Sequence, residues 1–340
     1  MSENEAGMVL KVSVVMPSYN YGQFIANAID SVLNQAGVEI DLVVVDDGST
    51  DNTSEVLQAY KNRIRVYRQE NAGASAAKNL GVEKAKFPFL AFLDADDWML
   101  EGSLYTRCEF LNSHPAYDWV YGDWLIADVT GKIVGTSNEY FTHADGVLEG
   151  DIFPSLLRGY AGVNTLTPLF RTSDVRAVGG FRTEYKAAED YDFYLRISRG
   201  KNVHYIPEAY FGVQRLHHSH LTSKPKLRYV AELEILKGYL DDKDAMDCLD
   251  IPINSRLANL HNYLAYIYSE EGNYGRAIRE TLLSILNKPV QRFAYRFLFY
   301  TLIGRSDKAG ESIKNGLMDI YSRIKEEEKA DMARKKASDG

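Results

Sequence analysis

The 340-residue sequence has few cysteines, no long apolar run and no excess of basic charge. Cys108 and Cys248 lie far apart and form no CxxC motif, which predicts a reducing, cytoplasmic setting. No run approaches the ~18 apolar residues that a membrane-spanning helix needs, and the acidic N-terminus (1–7) lacks the basic region of a signal peptide. The 47 Asp and Glu residues outnumber the 39 Lys and Arg residues, and this net charge of -8 argues against nucleic-acid binding.

The first part of the chain alternates short, β-branched apolar runs with helical patterns. The apolar runs cover residues 12–16, 42–45 and 89–93, and residues 65–68 (RVYR) are predicted as a further strand. Apolar runs without polar alternation are typical of strands buried on both faces, as in parallel sheets covered by helices. The sequence therefore predicts an α/β domain with a mostly parallel central sheet flanked by helices. Ligands of such sheets bind at the carboxyl ends of the strands.

The pattern changes near residue 225, beyond which the chain is almost wholly helical. We predict an α/β domain over 8–224, an all-α domain over 225–325 and a charged flexible tail over 326–340. Within the helical part, residues 257–289 resemble one tetratricopeptide repeat, a helical hairpin that must pack on neighbours because it cannot bury its own apolar face.

Acidic residues follow two of the predicted strands. Asp94 and Asp96 project to one side of an extended chain, where two carboxylates repel each other unless a cation lies between them. A hard divalent cation prefers such oxygen ligands and shares them with substrate phosphates. The alternative is that these acids only cap the following helix. Asp46 lies at the end of an earlier strand. Its carboxylate is suited either to accept a hydrogen bond from the ring N–H of a nucleotide base or only to stabilise the turn.

Several strings in chain order resemble the family 2 glycosyltransferases of the GT-A fold. They occupy residues 17–20 (PSYN), 45–51 (VDDGSTD), 71–79 (NAGASAAKN), 93–98 (LDADDW), 179–181 (GGF) and 189–192 (EDYD). Each string is weak alone, but their order and spacing are specific. The resemblance covers roughly residues 10–222 and implies a GT-A sheet and the transfer of a sugar from a nucleotide diphosphate.

The resemblance assigns a sugar-nucleotide donor and a divalent metal ion to residues at the strand ends. These are Pro17, Tyr19 and Asp46 at the base, Lys78 at the diphosphate, and Asp94, Ala95 and Asp96 near the ribose and metal. Asp96 is the expected direct ligand of Mg²⁺ or Mn²⁺. Lys78 stands where arginine is usual, which weakens the expected diphosphate contact because lysine is a point charge and not a bidentate fork. UDP is favoured as the nucleotide only because it is the usual donor nucleotide in this family.

The resemblance also assigns the acceptor side of the reaction. Asp190 resembles the general base that takes the proton from the acceptor hydroxyl. Asp192 competes for this role, but residues two apart on a helix do not share a face, so only one should reach the site. Arg215 and His217 resemble an Arg-x-His string, with Arg215 for phosphate and His217 as a metal or diphosphate ligand. The alternative for His217 is a packed histidine in a polar loop.

These features together predict a metal-dependent inverting glycosyltransferase. It would move a sugar from a nucleotide-diphosphate donor to a hydroxyl of a saccharide or lipid-linked glycan in surface polysaccharide synthesis. One alternative is a catalytically inactive sugar-nucleotide-binding or scaffold protein that acts through the helical domain. A phosphohydrolase with Asp94 as nucleophile is disfavoured because the acids follow the fourth strand and not the first.

One helical stretch, 292–303, is apolar nearly all round, with Arg292 and Arg296 on one face. A buried helix, a homodimer contact and a peripheral contact with the inner face of a membrane all fit this pattern. Of these, the sequence favours a buried helix or a dimer contact.

Overall fold

The structure is a computed structural model that describes residues 9–140, 149–159, 163–217, 225–249 and 252–302. The predicted tail at 326–340 lies outside the described residues. In the described part of the chain, no helix is both long enough and apolar enough to cross a bilayer.

The described residues form strands and helices that alternate over the first half of the chain. The strands are β1 (Leu10–Ser18), β2 (Val38–Asp46), β3 (Arg65–Arg68), β4 (Phe89–Phe92), β5 (Trp98–Met99), β6 (Trp119–Ala127), β7 (Ile133–Thr136), β8 (Leu169–Arg171) and β9 (Val203–Arg215). The helices are α1 (Ile25–Leu33), α2 (Thr53–Ala59), α3 (Ala74–Lys84), α4 (Ser103–Ser113), α5 (Ser137–Tyr140), α6 (Phe153–Arg158), α7 (Thr172–Ala177), α8 (Glu189–Ser198), α9 (Pro225–Lys237), α10 (Lys243–Asp247), α11 (Ile253–Glu270), α12 (Tyr274–Asn287) and α13 (Arg292–Leu302). Each of the four predicted strands coincides with a strand of the structure, β1 to β4.

The strands form one sheet in the order β3-β2-β1-β4-β8-β6-β9-β5, with β7 paired to β6. The first four strands are parallel, because a helix crosses back after each of β1, β2 and β3. β8, β5 and β7 pair antiparallel with their neighbours, whereas β6 and β9 are parallel. The sheet is therefore mixed, and the predicted parallel arrangement holds for its first half.

The parallel half of the sheet brings the predicted acidic strings to one edge. Ser18, the last residue of β1, is in register with Asp46, the last residue of β2. β4 pairs with the other side of β1, so its continuation through Asp94 emerges at the same edge. The core beneath this edge is continuous: the valines of β1 and β2 are buried on both faces, and the apolar side of α1 packs on them.

A glycine motif joins α3 to the chain just before α8. The Asn79 side chain donates from Nδ2 to the Phe181 carbonyl oxygen and accepts at Oδ1 from the Phe181 N–H, both at 2.7 Å. Gly180 has φ of +65°, and a Cβ there would lie 2.3 Å from Asn79 Oδ1. Only glycine fits this position. Two motif strings about 100 residues apart are thereby held together.

The described residues divide into two compact units. The first holds residues 9–140, 149–153 and 163–217, and the second holds 154–159, 225–249 and 252–302. In the second unit, α11 and α12 form a helical hairpin in which His261 Nδ1 lies 2.7 Å from Glu280 Oε2 in the buried interface. The assignment of separate catalytic and helical domains stays a prediction.

Candidate active site

Asp46 lies buried in the turn that follows β2. Its Oδ1 accepts from the Ser49 N–H at 2.9 Å, and its Oδ2 accepts from Arg68 Nη1 at 2.6 Å and from Ser54 Oγ at 3.3 Å. Arg68 compensates the buried charge, and the turn fixes the orientation of the carboxylate. The predicted contact with a nucleotide base stays a prediction, because both carboxylate oxygens already accept hydrogen bonds within the protein.

Pro17 and Tyr19 lie at the end of β1, beside the same turn. Pro17 is buried in register with Val45, whereas the Tyr19 ring is 45% exposed. Asn20 has φ of +59°, and its Oδ1 accepts from the Thr50 N–H at 2.8 Å. This contact ties the end of β1 to the Asp46 turn and leaves Tyr19 accessible to a flat ligand.

Asp47 is a structural residue of this edge that the sequence reasoning missed. Its carboxylate accepts from the N–H groups of Ala72 and Gly73 at 2.9 and 2.8 Å and from the Gln69 amide at 2.7 Å. These bonds join the loop after β2 to the loop that begins α3. An acid in a turn gives no sequence signal of such distant partners.

Asp96 and His217 come together although they are 121 positions apart in the chain. His217 Nε2 lies 2.7 Å from Asp96 Oδ2, with both side chains nearly buried, and the imidazole stacks on Phe24 at 5.5 Å. Tyr21, another residue missed from the sequence, borders this pair. Burial, followed by the charges of Asp96 and Asp94, raises the pKa of Tyr21 well above its usual value, so its hydroxyl stays protonated.

Arg215 contacts the loop of residues 94–97, which we call the acidic loop. Its N–H donates to Asp97 Oδ1 at 2.8 Å, its Nε donates to the Asp96 carbonyl at 3.1 Å, and its guanidinium lies over the rings of Phe24 and Trp98. Burial and the charges of the other two acids in the loop raise the pKa of Asp97 well above its usual value. These contacts make Arg215 a positioning residue, and its predicted contact with phosphate stays a prediction.

Lys78 links the acidic loop to α8. Its buried Nζ lies 3.8 Å from Asp94 Oδ1, 3.6 Å from Glu189 Oε1 and 5.1 Å from the centre of the Phe181 ring. Burial alone would lower the pKa of Lys78, but the charges of Asp94, Glu189 and Asp190 raise it well above its usual value. The ammonium group is therefore a permanent positive charge at the centre of the site.

The structure separates the two candidate bases. Asp192 is fully buried, with its carboxylate 2.6 Å from Arg196 Nη2 and 3.3 Å from Arg182 Nη1. Asp190 is half-buried in the first turn of α8, and its charge raises the pKa values of Lys78 and of other groups at the site. Asp190 is thus within electrostatic reach of Lys78, whereas Asp192 is engaged in a salt bridge, and the assignment of Asp190 as the base stays a prediction.

A strained residue precedes these acids. Ala188 has φ of +56°, in the left-handed region that non-glycine residues rarely adopt, and it immediately precedes α8. Such strain is commonly stored at functional sites. Glu189, the first residue of α8, has its pKa raised by burial, while the charge of Lys78 opposes this rise.

The donor set fits a divalent metal ion that is held jointly with a diphosphate. Asp96 and Asp94 would supply carboxylates and His217 an imidazole, and Ala95 lies fully buried between the two acids. Over the described ranges, no group of three or more His, Cys, Asp or Glu side chains forms a metal cage. Mg²⁺ is commonly bound by one or two carboxylates plus substrate phosphates, a mode that needs no such cage. The predicted ligand set stays a prediction.

Comparison with known proteins gives a match to a family model over part of the chain, and a fold. The family model "Glycosyl transferase family 2" matches residues 13–154. Hyaluronan synthase of Pasteurella multocida is 32% identical over 238 residues, which are 67% of this chain and 22% of that protein. The chain spans half or less of the length of this relative and of several other curated relatives it matches.

Two solved structures resemble the chain over most of its length. Residues 1–349 of TarS from S. aureus, solved in complex with UDP-GlcNAc, give a TM-score of 0.63 at 19% identity, covering 89% of this chain and 90% of that one. Mannosyltransferase PcManGT from Pyrobaculum calidifontis, solved with GDP-Man and Mn²⁺, gives 0.54 at 15% identity, covering 92% and 88%. The likeness to TarS confirms the predicted GT-A fold class, with helices at the C-terminus.

Proposed function

We propose, from the premise that residues 13–154 belong to glycosyl transferase family 2, that this protein transfers a sugar from a nucleotide-diphosphate donor to a saccharide hydroxyl. The observation that carries the proposal is the position of Lys78. Its buried ammonium lies between Asp94 of the acidic loop and Glu189 of α8, and the charge of Asp190 contributes to the raised pKa of Lys78. The ammonium group of Lys78 is therefore close both to the loop proposed to bind the donor and to the candidate base.

The proposed reaction is a direct displacement at the anomeric carbon. The acceptor oxygen attacks, the bond to the diphosphate breaks, and the anomeric configuration inverts. Asp190 takes the hydroxyl proton, a role that is typically worth ~10²–10⁴-fold in rate. Negative charge grows on the departing diphosphate, and Lys78 is a resident cation whose Nζ lies 3.8 Å from Asp94 of the acidic loop. A metal ion held by Asp96 would act there as a Lewis acid.

We further propose the classes of donor, metal and acceptor. A UDP-sugar is the favoured donor, supported by the UDP-GlcNAc complex of TarS. Because PcManGT was solved with GDP-Man and Mn²⁺, the experiment below also includes GDP and Mn²⁺. The metal is Mg²⁺ or Mn²⁺. The acceptor is a saccharide or lipid-linked glycan of a surface polysaccharide, supported by the similarity to hyaluronan synthase.

We propose that residues 8–224 form the catalytic domain and that the protein acts in the cytoplasm. Two observations support the location: Cys108 and Cys248, both among the described residues, form no disulfide, and Cys248 is exposed. An exposed thiol persists in a reducing compartment.

The first experiment is a thermal-shift screen of UDP, dTDP and GDP, each with and without Mn²⁺. A ligand of the native state raises its apparent stability by mass action, so the nucleotide that shifts the transition identifies the donor class. UDP with Mn²⁺ should give the largest shift. No shift with any nucleotide would contradict the proposal.

The second experiment compares Asp190→Asn with Glu184→Gln, which changes an exposed acid just before α8. Asp190→Asn should lower the transfer rate by ~10²-fold or more and keep the nucleotide-induced shift, because the base acts in the chemical step. Glu184→Gln should leave both unchanged. Transfer by Asp190→Asn within tenfold of the unmodified protein would show that the base lies elsewhere.

A further inference from the structure

Two consecutive helices of the second unit expose large apolar side chains. These residues, which we call the α12–α13 face, are Leu282, Leu286, Val290, Tyr295 and Phe299. Leu286 is 76% exposed and Val290 is 87% exposed, and the other three are about half exposed. Leu282 and Leu286 are four apart on α12, and Tyr295 and Phe299 are four apart on α13, so each pair lies on one side of its helix.

The exposed side chains are not the core side of these helices. Ala277 and Thr281 of α12 and Ala294 and Phe297 of α13 are fully buried. The sequence of 292–303 is apolar nearly all round. In the structure, the described part of this stretch has one side that is buried and one that is exposed. The α12–α13 face is therefore an apolar surface that is separate from the apolar residues that these helices bury in the core.

The charge around this face has one sign. Residues 274–302 contain a single acid, Glu280, and five basic residues, Arg276, Arg279, Lys288, Arg292 and Arg296, a net of +4 in a chain of net charge -8. Glu280 is buried against His261. Arg279, Lys288 and Arg296 are exposed, and Arg279 Nη1 lies 3.5 Å from Glu280 Oε1. Arg279 lies three and seven residues before the two leucines of α12, on the same helix side.

We propose that the α12–α13 face binds the surface of an anionic lipid bilayer. A helix with exposed apolar residues flanked by cations lies in the plane of such a surface, with its apolar side chains among the acyl chains and its cations at the headgroups. At 14 and 11 residues, α12 and α13 are too short to span the bilayer, so the contact is peripheral.

A second copy of the chain fits this face less well. In a two-fold dimer the same patch meets itself, so Arg279, Lys288 and Arg296 of each copy would approach their equivalents without an exposed acid from this segment between them. An anionic bilayer offers both an apolar interior and compensating charge. The inference goes beyond the proposed transfer reaction and is independent of the identity of the sugar.

The test is flotation of the full-length protein with vesicles of phosphatidylcholine, alone or mixed with phosphatidylglycerol. The protein should float with the mixed vesicles and much less with phosphatidylcholine alone, and added salt should release it because salt screens the cations. Failure to float with the mixed vesicles would overturn the proposal.

Three variants locate the contact. Leu286→Asp with Val290→Asp should lower partitioning by about tenfold or more, because two apolar side chains no longer enter the bilayer. Arg279→Gln with Arg296→Gln should lower it by about fivefold for each charge removed. Leu240→Asp changes a leucine that is 41% exposed outside the face and serves as the control. All variants should unfold at the same temperature as the unmodified protein, since these side chains are exposed.

Two further results would overturn the proposal. An equal loss of binding in Leu240→Asp would show that the α12–α13 face is not the contact. A protein that is dimeric by light scattering, becomes monomeric with Leu286→Asp and Val290→Asp, and does not float would assign the face to a contact between copies.

Discussion

Replacing Lys78 by methionine tests whether one buried ammonium group balances the acids of the site. Nζ lies 3.6 Å from Glu189 and 3.8 Å from Asp94, and at an effective dielectric constant of ~20 each pair attracts by roughly 4–5 kcal/mol. Desolvation of the lysine offsets much of this attraction, and Asp94 is 40% exposed and therefore screened. Because removal of one partner leaves Glu189 buried and uncompensated, we expect Lys78→Met to lower the free energy of unfolding by about 3 kcal/mol near neutral pH.

The loss of stability should depend on pH. Burial already raises the pKa of Glu189, and the charge of Lys78 opposes that rise, so the Lys78→Met change raises the pKa further. A carboxyl group whose pKa is higher in the folded state favours folding when protonated. Its contribution is therefore lost as pH rises from its unfolded pKa through its folded pKa. The deficit of Lys78→Met should be smaller at about pH 5 than at about pH 8.

Urea unfolding at both pH values, followed by circular dichroism, measures these differences. Lys78→Arg restores the charge and should recover most of the stability, while Lys86→Met, which removes an exposed lysine just beyond α3, should have little effect. A deficit for Lys78→Met of less than about 1 kcal/mol, or an equal deficit at both pH values, would refute a charge-balancing role.

Two further predictions concern the other acids. Asp96→Ala should remove the Mn²⁺-dependent part of UDP affinity in calorimetry and leave metal-free binding little changed; an unaltered response to Mn²⁺ would reject Asp96 as a ligand. Asp192→Asn should lower the free energy of unfolding by about 3 kcal/mol in urea, because it uncouples the buried Arg196 contact, and should spare nucleotide affinity. If Asp192→Asn left the stability unchanged, or lowered only the transfer activity, Asp192 would again be a candidate for the general base.

The parallel half of the sheet was predictable because its signal is local. Strands buried on both faces are mostly apolar, so β1, β2 and β4 stand out as apolar runs, and acids follow β2 and β4. The antiparallel β5 and β8 were not predictable in this way. They are two and three residues long, too short to show a period, and their place in the sheet depends on pairing with distant strands.

The family resemblance assigned Asp96 and His217 to one metal site, but no local pattern in the sequence predicted the contacts that the acids make within the protein. Lys78 and Glu189 are separated by 111 positions and Asp96 and His217 by 121, and no local pattern encodes such distances. Tyr21 illustrates the same limit: it follows a recognised string by one residue, yet only the fold shows that it borders Asp96. Sequence identified which residues carry charge at the edge of the sheet, and the structure shows which of them the protein itself compensates.

That division of charge indicates where an external cation would matter. Asp46 is compensated by Arg68, Asp192 by Arg196, and Asp94 with Glu189 by Lys78. Asp96 lies against the imidazole of His217 and beside two other acids, in a loop where burial, followed by the charges of Asp96 and Asp94, raises the pKa of Asp97 while Arg215 opposes the rise. A diphosphate that arrived here would add negative charge to a loop already rich in it, so donor binding at Asp96 should require a metal ion, whereas the turn around Asp46 should be formed before any ligand binds.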